Sequence, residues 1–185
     1  MGRSTAWDFL SPSTTLLKYA DDLSGGGLTL DLACGFGRNA IFMASYGSNV
    51  ICVDHDLNRL RQLDASKSEL LGLSPIQNRC GTITTVCADI SEKLWPFLAD
   101  TFHVVIGVHF KFVPLIPCIM RSLRSGGYIY LETFGGQGQN HLDLPRPGET
   151  KLAVGDQAKY IYYRERPASR KHGEAVTVKA LARKI

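Results

Sequence analysis

The 185-residue chain predicts an α/β protein: a doubly wound, mostly parallel sheet that ends in a C-terminal antiparallel hairpin. Three observations carry this expectation. Apolar strand-like runs alternate with helical stretches between residues 28 and 133, the pattern of parallel strands joined by crossover helices. Residues Phe102–Val108 show almost no polar alternation, as a central strand buried on both faces requires. Beyond residue 157 the period changes to two, in 158–164 and 174–182 around a polar turn at 167–173, which reads as a hairpin.

The elements follow in order. Ser11 caps and Pro12 opens a short helix running to Leu23, and Ser24–Gly27 ends it. Leu28–Leu32 is the first strand. Arg38–Tyr46 is a helix closed by Gly47, and Asn49–Val53 the second strand. Asp56 caps a helix whose Leu57, Leu60, Leu63, Leu70 and Leu71 form an apolar stripe. Thr82–Asp89 is a β-branched third strand ending in an acid. Trp95-Pro96 starts a turn or short helix before the fourth strand, Phe102–Val108. Pro114–Leu123 is a helix, Arg124–Gly127 a turn and Tyr128–Thr133 the fifth strand. Gly135–Gly148 is a long polar loop, and long loops in compact domains are often functional.

The most informative stretch is Leu28–Asp54. An apolar strand carries Asp31 near its end, and the turn Ala33-Cys-Gly-Phe-Gly37 follows. A helix and a second strand ending in Asp54 complete the stretch. Glycines at 35 and 37 allow backbone to approach a ligand, and the helix after them turns its free N–H groups toward it. Asp54 stands where a carboxylate reaching a ribose is expected, about 20 residues past the glycines. Asp31, Asp54 and Asp89 close three successive strands, at the sheet edge where open α/β sheets bind ligands. Each acid also has a plainer role open to it: Asp31 and Asp54 as caps of the turn or helix that follows, and Asp89 as a strand-end turn residue.

Composition sets bounds. The chain is 44% hydrophobic and 21% charged, as in ordinary globular proteins, with a net charge of +4 that does not by itself imply a nucleic-acid partner. Its five cysteines form no C-x-x-C pair, which suggests reduced thiols in a cytoplasmic protein and no metal site. The N-terminus has no apolar signal core, and no apolar run approaches the ~20 residues of a membrane span.

Five strands of the βα type, an acid near the end of the first and a terminal hairpin resemble the class I S-adenosylmethionine-dependent methyltransferases. Asp31-Leu-Ala-Cys-Gly-Phe-Gly37 matches their glycine motif, with Ala33 where many members have glycine. Within that class, Gly37-Arg-Asn39, Glu132-Thr-Phe134, Pro147-Gly-Glu149 and Leu181-Ala-Arg-Lys184 look like the tellurite-resistance-type enzymes. The resemblance implies a Rossmann-like methyltransferase domain over 25–185, preceded by a helical segment at 1–24. It also implies roles for individual residues. Asp31 would hold the methionine amino end, while Ala33, Gly35 and Gly37 would pass beneath the cofactor. Asp54 would accept both ribose hydroxyls, and Asp89 with the Ile90 backbone would face the adenine. Val108 and His109 would lie beside the methyl group.

The expected reaction is methyl transfer from S-adenosylmethionine to a small-molecule acceptor by in-line displacement. His109 is the candidate general base where the acceptor must lose a proton, against the alternative of a loop histidine packed beside Phe110 and Phe112. The basic hairpin (Arg164, Arg166, Arg170, Lys171, Lys179, Arg183 and Lys184 against Glu165 and Glu174) is either a solvated edge or a lip for an anionic acceptor. An RNA-contacting patch would need aromatic stacking partners and a larger basic surface. RNA or protein methylation and a non-catalytic cofactor-binding domain are the alternatives. So is NAD(P) binding, because Gly35-Phe-Gly-Arg-Asn-Ala40 also matches G-x-G-x-x-A. Asp31 argues against a pyrophosphate there, and no Asn/Asp-Pro-Pro-Tyr/Phe segment follows the fourth strand to suggest a nucleobase amino acceptor. Trp7 and Phe9 are candidates for a lid.

Overall fold

A computed structural model describes residues 11–25, 27–72, 80–91, 93–133, 144–168 and 174–185. The expected lid residues Trp7 and Phe9, most of the Gly135–Gly148 loop and most of the 167–173 turn lie outside the described residues. The chain divides into two compact units, one ending at Asp89 and the other starting at Ile90.

The first unit contains three parallel strands: β1 (Leu28–Leu32), β2 (Asn49–Asp54) and β3 (Ile83–Cys87). β2 lies in the middle, with Leu28 opposite Asn49 on one side and Val50 opposite Ile83 on the other. β1 is buried almost throughout, whereas β3 buries only Ile83, as an edge strand does. β3 stops at Cys87 rather than Asp89, and its ladder to β2 closes with the Ala88 N–H on the Asp54 carbonyl at 3.1 Å.

The N-terminal helix differs from expectation. It is two short helices, α1 (Thr14–Lys18) and α2 (Ala20–Leu23). Ser13, not Ser11, holds the cap position, and its backbone N–H donates to the Asn39 side chain at 3.2 Å. α3 (Arg38–Ser45) and α4 (Leu57–Gly72) follow their strands as read. Asp56 caps α4, its Oδ1 accepting from the Asn58 and Arg59 N–H groups at 3.0 and 3.3 Å. The stripe narrows to Leu60, Leu63 and Leu70, which are buried and contribute roughly 2 kcal/mol each. Leu57 is 45% exposed.

In the second unit β4 (Phe102–Val108) runs parallel to β5 (Leu123–Glu132), and β5, β7 (Val176–Lys184) and β6 (Ala158–Pro167) are antiparallel neighbours in that order. The expected turn Arg124–Gly127 is instead an irregular entry into β5. Gly127 sits where an added Cβ would lie 2.9 Å from the Arg124 carbonyl and 3.0 Å from that of His103, so the chain stays in the sheet through a glycine. The helix before it is shorter than read, a 3-10 turn at Val113–Leu115 and then α5 (Ile116–Ser122). Trp95 and Pro96 lie in a non-helical connection. A helix not foreseen from the sequence, α6 (Glu149–Val154), follows the polar loop.

Candidate functional site

The glycine turn is built by its backbone. Gly37 adopts φ 76° at the start of α3, donates its N–H to the Cys34 carbonyl at 2.9 Å and accepts from Ile41 N–H at 2.8 Å. A Cβ at Gly37 would meet the Leu63 methyls at 2.6 Å, so this glycine also lets α4 close on the turn. Gly35 adopts φ 58°, and an added Cβ there would have nothing within 4 Å: its open side faces space rather than packing. Ala33 shares the left-handed backbone, at φ 51°, which gives a physical reason for glycine to be common at this position.

Asp54 ties the end of β2 to the glycine turn. It is buried, its Oδ2 accepts from the Gly35 N–H at 2.8 Å and its Oδ1 from the Asp56 N–H at 2.9 Å. Both bonds come from rigid backbone, so the carboxylate is held in one orientation while each oxygen keeps a further lone pair. The plain role of helix cap belongs to Asp56, leaving Asp54 to tie β2 to the turn after β1.

Asp31 is 1% exposed on β1. Burial pushes its carboxyl up to about 7, with the Ala40 N–H and the Arg38 charge acting against that rise and the Asp54 charge adding to it. Among the described residues Asp31 Oδ2 has no hydrogen-bond partner. A buried carboxylate oxygen without a donor is costly. A cationic ligand group beside it would relieve that cost, whereas a pyrophosphate would add to it. The donor set thus fits the amino end and ribose of S-adenosylmethionine better than a dinucleotide.

Sequence reasoning missed two neighbours. Phe36 lies between the glycines, 53% exposed, with the Arg59 guanidinium 5.7 Å from its ring. An aromatic residue between two turn glycines, with no core to fill, was the signal. The Cys34 thiol is held protonated by a hydrogen bond with Cys52 and by burial. All five cysteines are free thiols.

The remaining expected residues fall elsewhere. Asp89 is exposed, two residues past β3. Ile90 begins the second unit and is half-buried. In that unit, Val108 is buried as the last residue of β4 and pairs with Glu132 of β5. His109 follows it, exposed, with φ 57° and its N–H on the Glu132 carbonyl at 2.9 Å. Non-glycine residues hold such a backbone where surroundings impose it, often at functional positions. Glu132 is fully buried and paired with Lys179, and it accepts the Tyr130 hydroxyl at 2.5 Å. No group of metal-ligating side chains occurs among the described residues, and no described helix is long and apolar enough to cross a membrane.

Comparison with known proteins gives a consistent picture. A family model described as a methyltransferase domain matches residues 29–127. No curated protein matches the chain. Among solved structures, an S-adenosylmethionine-dependent methyltransferase from Methanosarcina mazei superposes with a TM-score of 0.61 at 17% identity, over 90% of this chain and 96% of that one. TehB from Haemophilus influenzae gives 0.67 at 21% identity, over 92% of this chain and 62% of its own. A geranyl diphosphate methyltransferase, solved with GPP and sinefungin, gives 0.64 at 14% identity, over 94% and 79%. At these identities the likeness shows the fold: Rossmann-like α/β, mostly parallel, with the C-terminal antiparallel hairpin.

Proposed function

We propose that this chain, which belongs to the methyltransferase-domain family and is an S-adenosylmethionine-dependent enzyme, methylates a small, anionic acceptor molecule by in-line displacement. The observation that carries the site assignment is the Asp54 carboxylate, held by the Gly35 and Asp56 N–H groups at the mouth of the glycine turn. A carboxylate so fixed offers two acceptors to a vicinal diol. Asp31 would hold the methionine amino end, and Ala33, Gly35 and Gly37 would carry the backbone past the cofactor. Asp89 and Ile90 would serve the adenine, and Val108 would line the methyl end.

S-adenosylmethionine, when bound, supplies a methyl already activated on a sulfonium. The chain's own task is to orient the acceptor and exclude water. His109 is the proposed base for an acceptor that must lose a proton; its left-handed backbone at the end of β4 supports that role. The anionic small-molecule reading draws support from the net charge of +4 and from the geranyl diphosphate neighbour, a protein whose ligand is of that kind. Short motifs such as Gly37-Arg-Asn39 support the tellurite-resistance-type subfamily.

Titration calorimetry with S-adenosylmethionine tests the site. Binding that Asp54→Ala leaves unchanged would overturn the assignment of Asp54. Formation of S-adenosylhomocysteine with panels of thiol, chalcogen-oxyanion, phenol and RNA acceptors then tests the substrate. Turnover with RNA alone would remove the small-molecule reading.

A further inference from the structure

The C-terminal hairpin sorts its side chains by face. Residues directly opposite in antiparallel strands share a face. Between β6 and β7 the pairs are Lys159 with Arg183, Tyr162 with Leu181, Arg164 with Lys179 and Arg166 with Thr177. Between β7 and β5, Arg183 faces Tyr128 and Lys179 faces Glu132. Five cations (Lys159, Arg164, Arg166, Lys179 and Arg183) therefore share one face with the rings of Tyr128, Tyr130 and Tyr162; Tyr130, Leu181 and Glu132 are fully buried on it, and its exposed part follows β6. Two contacts agree with this sorting: the Lys179–Glu132 ion pair, and the Arg183 guanidinium 5.7 Å from the Tyr128 ring centre.

A register shift between Tyr160 and Tyr162 produces the sorting. Under strict alternation Lys159 would share a face with Tyr163 and Glu165. The extra residue, Ile161, turns those two to the other side, against α6. There the Tyr160 hydroxyl donates to the Thr150 carbonyl at 3.5 Å, the Lys151 ammonium sits 4.4 Å from the Tyr163 ring centre, and Glu165 accepts the Gly148 N–H at 3.2 Å. The acid is drawn away and the bases collect.

On the basic face the sole carboxylate among these paired positions is Glu132, buried and already bound to Lys179. Among the described residues no acid pairs with Lys159, Arg164, Arg166 or Arg183, all of them exposed. From Lys159 to Arg166 the strand runs roughly 20 Å. One small anion needs a single end of such a stripe; a row of phosphates matches its length. Cations interleaved with tyrosine rings are the means by which proteins hold single strands, phosphates on the charges and bases on the rings.

We infer that this face of the hairpin is a docking surface for single-stranded nucleic acid. Lys159, Arg164, Arg166 and Arg183 hold its phosphates and Tyr162 stacks a base. The surface does not rest on the methyl-transfer reading, and the bound strand need not be the methyl acceptor. Fluorescence anisotropy of a labelled single-stranded RNA of about 12 nucleotides, titrated with the full chain, tests it. Binding is expected at about 50 mM salt and should weaken about 50-fold at about 200 mM, as four phosphate contacts require. The double variant Arg164→Glu/Arg166→Glu should keep the parent melting temperature and lose at least about tenfold in affinity, and Tyr162→Leu about tenfold. No binding at the lower salt overturns the inference. So does equal binding by the charge-reversed variant, or tighter binding to vesicles of anionic phospholipid than to RNA.

Discussion

The Gly35 N–H donates to Asp54 Oδ2 at 2.8 Å, joining the turn after β1 to the end of β2 across 19 residues of chain. The bond makes one carboxylate both a structural clamp on the glycine turn and the proposed ribose acceptor. Asp54→Ala should therefore fail twice. Calorimetry should show at least about a hundredfold loss of S-adenosylhomocysteine affinity, and thermal melting a loss of about 1–3 kcal/mol from the orphaned N–H groups. Asp54→Asn keeps one acceptor oxygen and should fall between Ala and the parent in both measurements.

Asp31 predicts a pH dependence whose sign is set by its raised value of about 7, against an ordinary 3.8. Between those limits the folded chain binds a proton that the unfolded chain releases, so this group's contribution to stability declines as pH rises through the window. Asp31→Asn should remove the decline, and its stability relative to the parent should be more favourable at pH 8 than at pH 5. A cationic ligand group favours the ionised form, so cofactor binding near pH 6.5 should expel a proton. Calorimetry in two buffers of different ionisation enthalpy measures that release; equal heats in both would contradict the role of Asp31.

The two glycines separate binding from folding. Gly35→Ala places a methyl in open space and Gly37→Ala places one 2.6 Å from the Leu63 methyls. Both pay for a left-handed alanine, about 1 kcal/mol. Gly37→Ala should lose a further 1–3 kcal/mol or so in melting experiments as the core around Leu63 shifts. Gly35→Ala should melt nearer the parent yet bind cofactor at least about tenfold more weakly.

His109 is tested by a substitution that tolerates its backbone. Asparagine accepts φ near the observed 57° better than most residues, so His109→Asn leaves the turn intact. If His109 is the base, turnover should fall about a hundredfold or more with KM little changed, and the shape of the pH–rate profile should change. Turnover at the parent rate with the same profile would remove it from the mechanism.

Much of this protein was legible in its residues because the signals are local. The burial of β1 and β4, the caps and turns around α3 and α4, and the two turn glycines all follow from side chains acting on their own backbone. So does the placing of Asp31 and Asp54 near the ends of adjacent strands, since parallel strands joined by helices bring those ends together. The misreadings arose where distant partners intervened. The Ser13 N–H at the cap of the first helix finds its acceptor in Asn39, 26 residues on, and the carbonyls of His103 and Arg124 leave no room for a Cβ at Gly127 in β5. α6 went unread because no apolar stripe marks its six residues, from Glu149 to Val154.

The strand and helix periods of the sequence determined the α/β class, and its glycine motif and strand-end acids carried the resemblance that implied the family and the cofactor. Tertiary structure decided the surroundings of the acids and bases. Burial set the proton affinity of Asp31, and backbone N–H groups from two segments fixed Asp54. One extra residue at Ile161 put Lys159 and Arg183 on the face of Arg164 and Arg166 rather than on that of Glu165. Burial, hydrogen bonding and facing are relations between segments, and the order of residues does not display them until the chain is folded.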